Sequence, residues 1–186
     1  MTWLPNYLQT ARRLSLVGSG IFTSIPFLAA SVVNIVANWA GDRLLSPHGV
    51  RSGKRRYLVA LCLLLTAAGL AIPFAQSLTA VVILVSVAAS FGNVGPAANG
   101  ALVGDLLRSP SDAGRAFAFL VLGGNSFGLL APIVTGYLVA ATGSFNSAFI
   151  LAGALALLGA TVTLALARTP IGEVHASALT RASLAG

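Results

Sequence analysis

Five long apolar runs dominate this sequence of 186 residues. They cover residues 14–40, 57–75, 79–104, 116–141 and 145–167, and none of them contains Asp, Glu, Lys or Arg. A transmembrane helix needs about 20 consecutive, mostly apolar residues, so each run is long enough to cross a bilayer. We therefore predict an all-α fold, a polytopic membrane protein with five transmembrane helices.

The composition excludes an ordinary soluble domain. Hydrophobic residues make up 56% of the chain and charged residues only 8%, whereas charged residues are about a quarter of a typical soluble domain. The net charge of +7 does not indicate a nucleic-acid partner, because the bases gather at the ends of apolar runs and form no stripe with interleaved aromatic residues. The predicted environment is the lipid bilayer of an inner or plasma membrane.

The breaks between the runs alternate in length and in charge. Residues 42–56 and 105–115 form long, charged breaks, whereas residues 76–77 and 142–144 form short, uncharged ones. Cytoplasmic connections of membrane proteins carry an excess of Lys and Arg, and nine of the 11 Lys and Arg residues fall on the side of residues 42–56. We therefore predict that this side is cytoplasmic, with the N-terminus outside and the C-terminus inside.

The two ends of the chain differ from the apolar runs. Trp3 and Tyr7 are predicted to form an interfacial aromatic anchor at the outer end of a membrane span. The remainder of that span does not precede them, so we expect residues 1–13 to be the outer end of a truncated helix and the chain to be a fragment. Residues 1–170 would form a single transmembrane domain, and we expect residues 171–186 to be a disordered cytoplasmic tail.

Two of the runs contain amide side chains at membrane depth, Asn93 in the third and Asn125 in the fourth. The same runs contain two Gly-x-x-x-Gly pairs, Gly100 with Gly104 and Gly124 with Gly128. One interpretation is close helix packing with interhelical amide hydrogen bonds; the other is a polar cavity lined by helices that Pro and Gly loosen near a substrate. Because an unpartnered amide in lipid is costly, we predict that Asn93 and Asn125 face a cavity and that the glycines pack.

No constellation of residues indicates an enzyme. Cys62 is the single cysteine, and neither His48 nor His175 has a carboxylate or Cys partner at the spacing of metal ligands. The four acids all lie at membrane edges or outside the runs: Asp42, Asp105, Asp112 and Glu173. No carboxylate pair is therefore available for general acid–base catalysis, and we predict no catalytic residue, no metal site and no cofactor.

The charged break after the first run resembles a known loop signature. Asp42-Arg43 followed by Lys54-Arg55-Arg56 is similar to the loop G-x-x-x-D-R-x-G-R-R/K of the major facilitator superfamily. Two departures are that Asn38 stands where the family often has Gly, and that the insert SPHGVRSG is longer than the strict signature.

Three further segments resemble the anion:cation symporter branch of that superfamily. WLPNYL at 3–8, IPFLAASVVNIVANWAGDRLL at 25–45 and GGNSFGLLAPIVTGYLVAATGSF at 123–145 are similar to its helices 7, 8 and 11. The resemblance implies that the five spans are helices 8 to 12 of an incomplete C-terminal half of a major facilitator fold. It also implies that the N-terminal half of the same transporter is a missing partner.

The resemblance further implies a secondary active transporter. Such a protein would move an organic anion, a sugar acid or another carboxylate, by proton symport with alternating access. Asn125 matches an amide position that the family directs toward the cavity, and the shared helix face adds Asn93 as a second substrate-binding candidate. Because the five runs contain no ionisable group, the coupling carboxylate is expected in the missing half.

Asp42 is the unusual member of the charged break. It lies near the C-terminal end of a predicted helix, where the helix dipole disfavours a negative charge, so we expect a compensating partner. One possibility is Arg43 or a loop base at a wet surface, where pairing contributes little. The other, which the resemblance implies, is a gate in which Asp42 meets an arginine across the cytoplasmic face, with Arg115 as the candidate in this chain. The remaining bases are interpreted as a topology anchor and not as a ligand site.

Two other classes of function stay open from the residues alone. The glycine-rich faces are also compatible with a non-transport membrane scaffold or assembly subunit that binds other helices. A membrane enzyme is disfavoured because the runs lack acids and histidines. The genomic DNA upstream of Met1 would distinguish a transporter from a scaffold, since a transporter requires an open reading frame that encodes further spans.

Overall fold

The computed structural model of the chain describes residues 4–10, 13–44 and 53–168. Its α-helices are α1 (Leu4–Thr10), α2 (Leu16–Leu44), α3 (Arg55–Thr66), α4 (Leu78–Leu106), α5 (Ala113–Thr142) and α6 (Asn146–Leu166). Two 3₁₀ helices complete the described part, Ala67–Phe74 directly after α3 and Pro110–Asp112 directly before α5. Trp3, the predicted tail at 171–186 and the isolated histidines lie outside the described residues.

The prediction of five membrane helices is confirmed. Five helices of the described chain are long and apolar enough to cross a membrane: α2, α3 with its 3₁₀ extension, α4, α5 with the turn before it, and α6. They extend beyond the apolar runs at several ends, and α2 continues through Asp42 and Arg43 to Leu44. The first charges of the break at 42–56 are therefore part of a helix, which fixes their positions relative to the rest of α2.

The short breaks are closed by local capping. Ser77 is the N-cap of α4, and its hydroxyl accepts a hydrogen bond of 3.1 Å from the backbone N–H of Ala80, which satisfies a helix donor that would otherwise lack a partner. Gly143 ends α5 with a φ of 65°, a left-handed conformation that glycine adopts without strain. These caps allow the helices at each short break to follow one another almost directly.

Helix α4 is central in the bundle because it packs against both α2 and α3, while α3 also packs against α6. Two clusters of buried side chains lie at opposite ends of α4. One joins α1 to the start of α4 and of α6, and the other joins the start of α3 to the end of α4. Helix α5 has no buried residue and lies at the edge of the bundle.

Tyr7 is a core residue, and its predicted role as an interfacial anchor is wrong. Its side chain is only 4% exposed, and its ring packs edge-on against Phe145 at 5.4 Å and against Phe149 at 5.3 Å between ring centroids. Aromatic pairs at these distances and angles are favourable. Helix α1 is therefore fixed to the bundle by burial of its aromatic side chain against the start of α6.

The 3₁₀ extension of α3 makes a close contact with α6. A Cβ atom added at Gly153 would collide with the Leu70 side chain, so the absence of a side chain at this position permits the contact. Small residues allow transmembrane helices to approach closely where no hydrophobic effect drives their association. The eight residues Ala67–Phe74 are long for a 3₁₀ helix, which rarely exceeds about four residues.

Candidate functional site

Three charged side chains from three helices meet at one end of the bundle. Arg55 Nε donates to Asp105 Oδ2 at 2.8 Å, and Arg55 Nη1 donates to Asp42 Oδ1 at 2.9 Å. The Arg55 side chain is 10% exposed, Asp105 is 13% exposed, and Asp42 is 68% exposed. We call this group the charged junction, and it links the end of α2, the start of α3 and the end of α4.

The helix ends explain why the junction needs both acids. Asp42 and Asp105 lie near the negative C-terminal ends of α2 and α4, and Arg55 is the first residue of α3, at its positive N-terminal end. Each charge is therefore disfavoured by its own helix. A buried guanidinium also requires acceptors, and the two carboxylates supply them. The expectation that Asp42 has a compensating partner is thus answered by Arg55.

The other two residues predicted for the gate are not in the junction. Arg43 is exposed, and its guanidinium carbon lies 4.8 Å from the centroid of the Trp39 ring, a cation–π geometry. Arg115 is exposed near the start of α5 and does not pair with Asp42, whose ion pair is with Arg55. In this conformation Asp42 and Arg55 act together, and Arg43 and Arg115 lie outside their contact.

A series of amides connects α2 to α4 in the apolar part of the bundle. Asn38 Nδ2 donates to Asn34 Oδ1 at 3.0 Å and to the Asn34 carbonyl at 2.8 Å, and Asn34 Nδ2 donates to the Asn93 carbonyl at 3.0 Å. Pro96 lies in the next turn of α4 and cannot donate to the Gly92 carbonyl. The amides therefore tie α2 to α4 beside a loosened turn.

The side chain of Asn93 projects from the same turn. It is exposed, and its Nδ2 donates to the Ala89 carbonyl at 2.8 Å. A second N–H of this amide and its Oδ1 remain, and among the described residues no partner bonds to them. Asn93 can therefore donate one hydrogen bond and accept others from a hydroxyl or carboxyl group.

Asn93 also lines a groove of about 280 Å³ between the 3₁₀ extension, α4 and α6. The only other side chain with a hydroxyl or amide in its lining is Thr66, whose hydroxyl already donates to the Cys62 carbonyl at 2.8 Å. The remaining lining residues are apolar or glycine, as in many small-molecule sites. Asn125 does not line this groove, so the structure does not bring the two predicted substrate amides together there.

Asn125 lies on the exposed surface of α5, and no described residue is hydrogen-bonded to its side chain. The glycines around it, Gly124 and Gly128, would have open space around an added Cβ atom, as would Gly104 on α4. Of the glycines predicted to pack, Gly100 alone faces another helix, because a Cβ atom added there would lie 3.6 Å from the Phe117 ring. Helix α5 thus presents a face of small and polar residues that nothing in the described chain covers.

The C-terminal part of α5 adjoins a second cavity. Pro132, Thr135 and Gly136 line a space of about 300 Å³ together with Asn6 of α1 and the turn before α6. Thr135 and Asn6 bring a hydroxyl and an amide to it, so this end of α5 is polar as well as small. The fourth run therefore places polar groups along much of its length, from Asn125 to Thr135.

Sequence reasoning missed four of these residues. It did not assign Arg55 or Asp105 to a site, although Asp105 follows an apolar run just as Asp42 does, and this shared position was a usable signal. Asn34 and Asn38 are spaced by four residues and hence lie on one helix face, which indicated a polar contact. The sequence alone does not specify which helix that face meets.

The Major Facilitator Superfamily is the family whose model matches this chain, over residues 1–185. A probable galactarate/D-glucarate transporter of Bacillus subtilis is 32% identical over 84% of this chain and 34% of the relative. A D-galactonate transporter of Escherichia coli is 31% identical over 86% and 36%, and a hexuronate transporter of B. subtilis is 28% identical over 93% and 42%. The chain spans about a third to two fifths of the length of these curated relatives.

Proposed function

Because this chain belongs to the Major Facilitator Superfamily, we propose that it forms part of a secondary active transporter for an organic anion, and specifically for a sugar acid. The observation that carries the proposal is that relatives along most of the chain are named as galactarate, glucarate, galactonate and hexuronate transporters. The chain would supply helices 8 to 12 and the end of helix 7. The N-terminal half of the transporter would be its partner.

Asn125 and Asn93 are our proposed substrate-binding residues. A sugar acid carries several hydroxyl groups and one or two carboxylates, and an amide matches both because it donates and accepts hydrogen bonds. The uncovered polar face of α5 supports a cavity role for Asn125. The free acceptor of Asn93, beside the loosened turn at Pro96, supports a weaker role for that residue.

The charged junction is our proposed cytoplasmic gate. The proposal is supported by the two ion pairs on a single guanidinium, which link three helix ends, and by the exposure of Asp42, which would allow it to exchange its partner at low cost. Arg115, which is exposed on α5, would be an alternative partner in a second conformation. Arg43, stacked on Trp39, would keep the end of α2 in place while Asp42 changes partner.

Proton symport with alternating access is the proposed mechanism. Coupling needs an ionisable group in the membrane, and the apolar runs of this chain have none, so the partner half would supply it. This chain would contribute the amides that hold the anion and the junction that closes behind it. The predicted orientation places the junction on the cytoplasmic side.

A chimera tests the proposal. Residues 3–170 would replace the matching segment of the B. subtilis galactarate/D-glucarate relative, and uptake of labelled D-glucarate would be measured in vesicles with an acidic exterior. We expect uptake that falls several-fold when the pH gradient is collapsed. In an Asn125→Ala variant it should fall by at least about tenfold, because a lost hydrogen bond to a charged group costs about 1.5–3 kcal/mol.

Ser126→Ala is the matched control, since it removes a neighbouring polar group on another face of α5. A chimera that inserts normally but takes up neither D-glucarate, D-galactonate nor a hexuronate would contradict the transport proposal. Such a loss of uptake would favour the scaffold alternative if the chain still co-purifies with another membrane protein. Equal uptake by the Asn125→Ala variant below saturation would remove that residue from the site.

A further inference from the structure

Two adjacent bases at the start of α3 point in different directions. Arg55 turns into the charged junction, whereas Arg56 turns toward Tyr57. Arg56 Nη2 donates to Tyr57 Oη at 3.0 Å, and its guanidinium carbon lies 4.9 Å from the Tyr57 ring centroid. The side chains of Arg56 and Tyr57 are thus held together at the start of α3, and neither takes part in the charged junction.

The end of α6 adds a further base to the same place. Arg56 Nη1 lies 3.4 Å from the Ala167 carbonyl, which connects the start of α3 to the end of α6. The next residue, Arg168, is exposed, and its Nε donates to the Leu164 carbonyl at 2.9 Å. Lys54, which directly precedes α3, is exposed as well.

Among the described residues, no acid pairs with the basic cluster, which we define as Lys54, Arg56, Tyr57 and Arg168. The salt bridges among the described residues are the two that Arg55 makes with Asp42 and Asp105. In addition, Arg56 Nε is buried and has no acceptor in the part of the chain that the structure describes. The three like charges would be stabilised by an anionic oxygen at the surface of the cluster.

The surface next to the cluster is apolar. Tyr57, Leu61 and Leu64 follow one another at helical spacing on α3 and are 55%, 51% and 49% exposed, and Leu166 at the end of α6 is 74% exposed. The cluster therefore lies where a cationic, aromatic surface meets a strip of leucines. A soluble anion would contact the bases but not the leucines. A phospholipid would contact both, with its phosphate at the bases and its acyl chain along the apolar strip.

We propose that Lys54, Arg56, Tyr57 and Arg168 form a binding site for the phosphate of an anionic phospholipid at the seam between α3 and α6. The guanidinium groups bind the phosphate oxygens, the Tyr57 hydroxyl orients Arg56, and the leucines of α3 contact the first acyl chain. The lipid also fixes the start of α3, the helix that supplies Arg55 to the charged junction. The site does not depend on the transport proposal.

Native mass spectrometry of the full chain, released from neutral detergent micelles, tests this site. The chain would be titrated with an equimolar mixture of phosphatidylglycerol and phosphatidylcholine, which differ in net charge. We expect preferential retention of phosphatidylglycerol. An Arg56→Gln/Arg168→Gln variant should bind it at least about tenfold more weakly, because each base near an anionic lipid is worth about a factor of five.

Arg13→Gln/Arg108→Gln is the matched control, since it removes two exposed bases from outside the cluster, and its affinity should stay within about twofold of the parent. An equal loss in this control, or equal retention of the two lipids by the parent chain, would overturn the proposal. Full displacement of phosphatidylglycerol by millimolar inorganic phosphate would also overturn it in favour of a soluble-anion site. A Tyr57→Phe variant, which keeps the ring, should lose only about threefold, and this measurement tests the site even if the double variant misfolds.

Discussion

At the scale of single residues, the charged junction joins three groups that are each disfavoured by their own helix. A charge at the wrong helix end costs about 0.3–1 kcal/mol. The mutual ion pairs offset this cost, but they do so unequally, because Asp105 is 13% exposed whereas Asp42 is 68% exposed. We therefore expect the buried pair to be structural and the exposed pair to be the one that is exchanged in the proposed gating.

We predict that Asp105→Asn destabilises the chain by about 2 kcal/mol, since it weakens a hydrogen bond to a charged and buried group. Asp42→Asn should cost less than about 1 kcal/mol, as expected for an exposed ion pair. The measurement is unfolding of each variant by SDS in mixed micelles, followed by helical circular dichroism. In the full transporter or the chimera, Asp42→Asn should instead shift the ratio of inward-open to outward-open conformers.

Asp112→Asn is the control for this comparison. It makes the same change of side chain, but Asp112 forms no ion pair with a described residue. Equal losses for Asp42→Asn and Asp105→Asn would contradict the division of roles within the junction. An unchanged conformational ratio in Asp42→Asn would contradict its part in the gate.

Only part of the charged junction could be predicted from the sequence. That Asp42 needs a partner followed from its place near a helix C-terminus. That the partner is Arg55 and not Arg115 did not follow, because the choice depends on how α2, α3 and α4 are set against one another. Asp105 was visible as an acid at the end of an apolar run, but its approach to Arg55 across 50 residues is a product of helix packing.

At the scale of elements, the contact between the 3₁₀ extension and α6 is the most constrained. Gly153 gives Leu70 room that any other residue would fill, whereas a Cβ at Gly159 would lie 3.4 Å from Leu63, close to an ordinary contact distance. The two glycines are on the same helix and face the same neighbouring span. An alanine at either position gains the same helix propensity, but only an alanine at Gly153 is crowded by a neighbouring side chain. A comparison of the two variants therefore isolates the free-energy cost of crowding.

We predict that Gly153→Ala destabilises the chain by about 1–3 kcal/mol, the usual cost of overpacking. Gly159→Ala should be neutral or stabilising, because alanine is favoured over glycine in a helix by about 1 kcal/mol. Unfolding in SDS mixed micelles measures both. A Gly153→Ala chain as stable as the Gly159→Ala chain would mean that the 3₁₀ extension moves away from α6 without cost.

The existence of the helices was predictable, whereas their contacts were not. Apolar runs of sufficient length, separated by charged breaks or by short polar ones, define five spans. In a bilayer, however, a helix is apolar on all sides, so the hydrophobic pattern does not indicate which face packs on a neighbour. For this reason the 3₁₀ geometry of Ala67–Phe74, the burial of Tyr7 and the amide contact of Asn34 with α4 all appeared only in the structure.

At the scale of the whole molecule, the asymmetry of charge is the feature with the widest consequence. The charged junction and the basic cluster lie at the same end of the bundle, where α2 and α4 end and α3 begins. The opposite end is held by the apolar and aromatic cluster around Tyr7. Cytoplasmic segments are enriched in Lys and Arg, so the end with the junction should face the cytoplasm.

Single-cysteine labelling tests this orientation. Cys62 is 1% exposed within α3, so the parent chain should not react with a membrane-impermeant maleimide and provides the background. Gln76→Cys lies in the short break before α4, and Ser111→Cys lies in the charged break before α5; both positions are exposed. We predict that intact cells label Gln76→Cys fully and label Ser111→Cys at least about tenfold less until the membrane is permeabilised, because alternate breaks face opposite sides and the positive side is cytoplasmic. The reverse labelling pattern would mean that the junction faces the outside, which would rule out its proposed role as a cytoplasmic gate. Equal labelling of both positions in intact cells would contradict the single span, α4, between them.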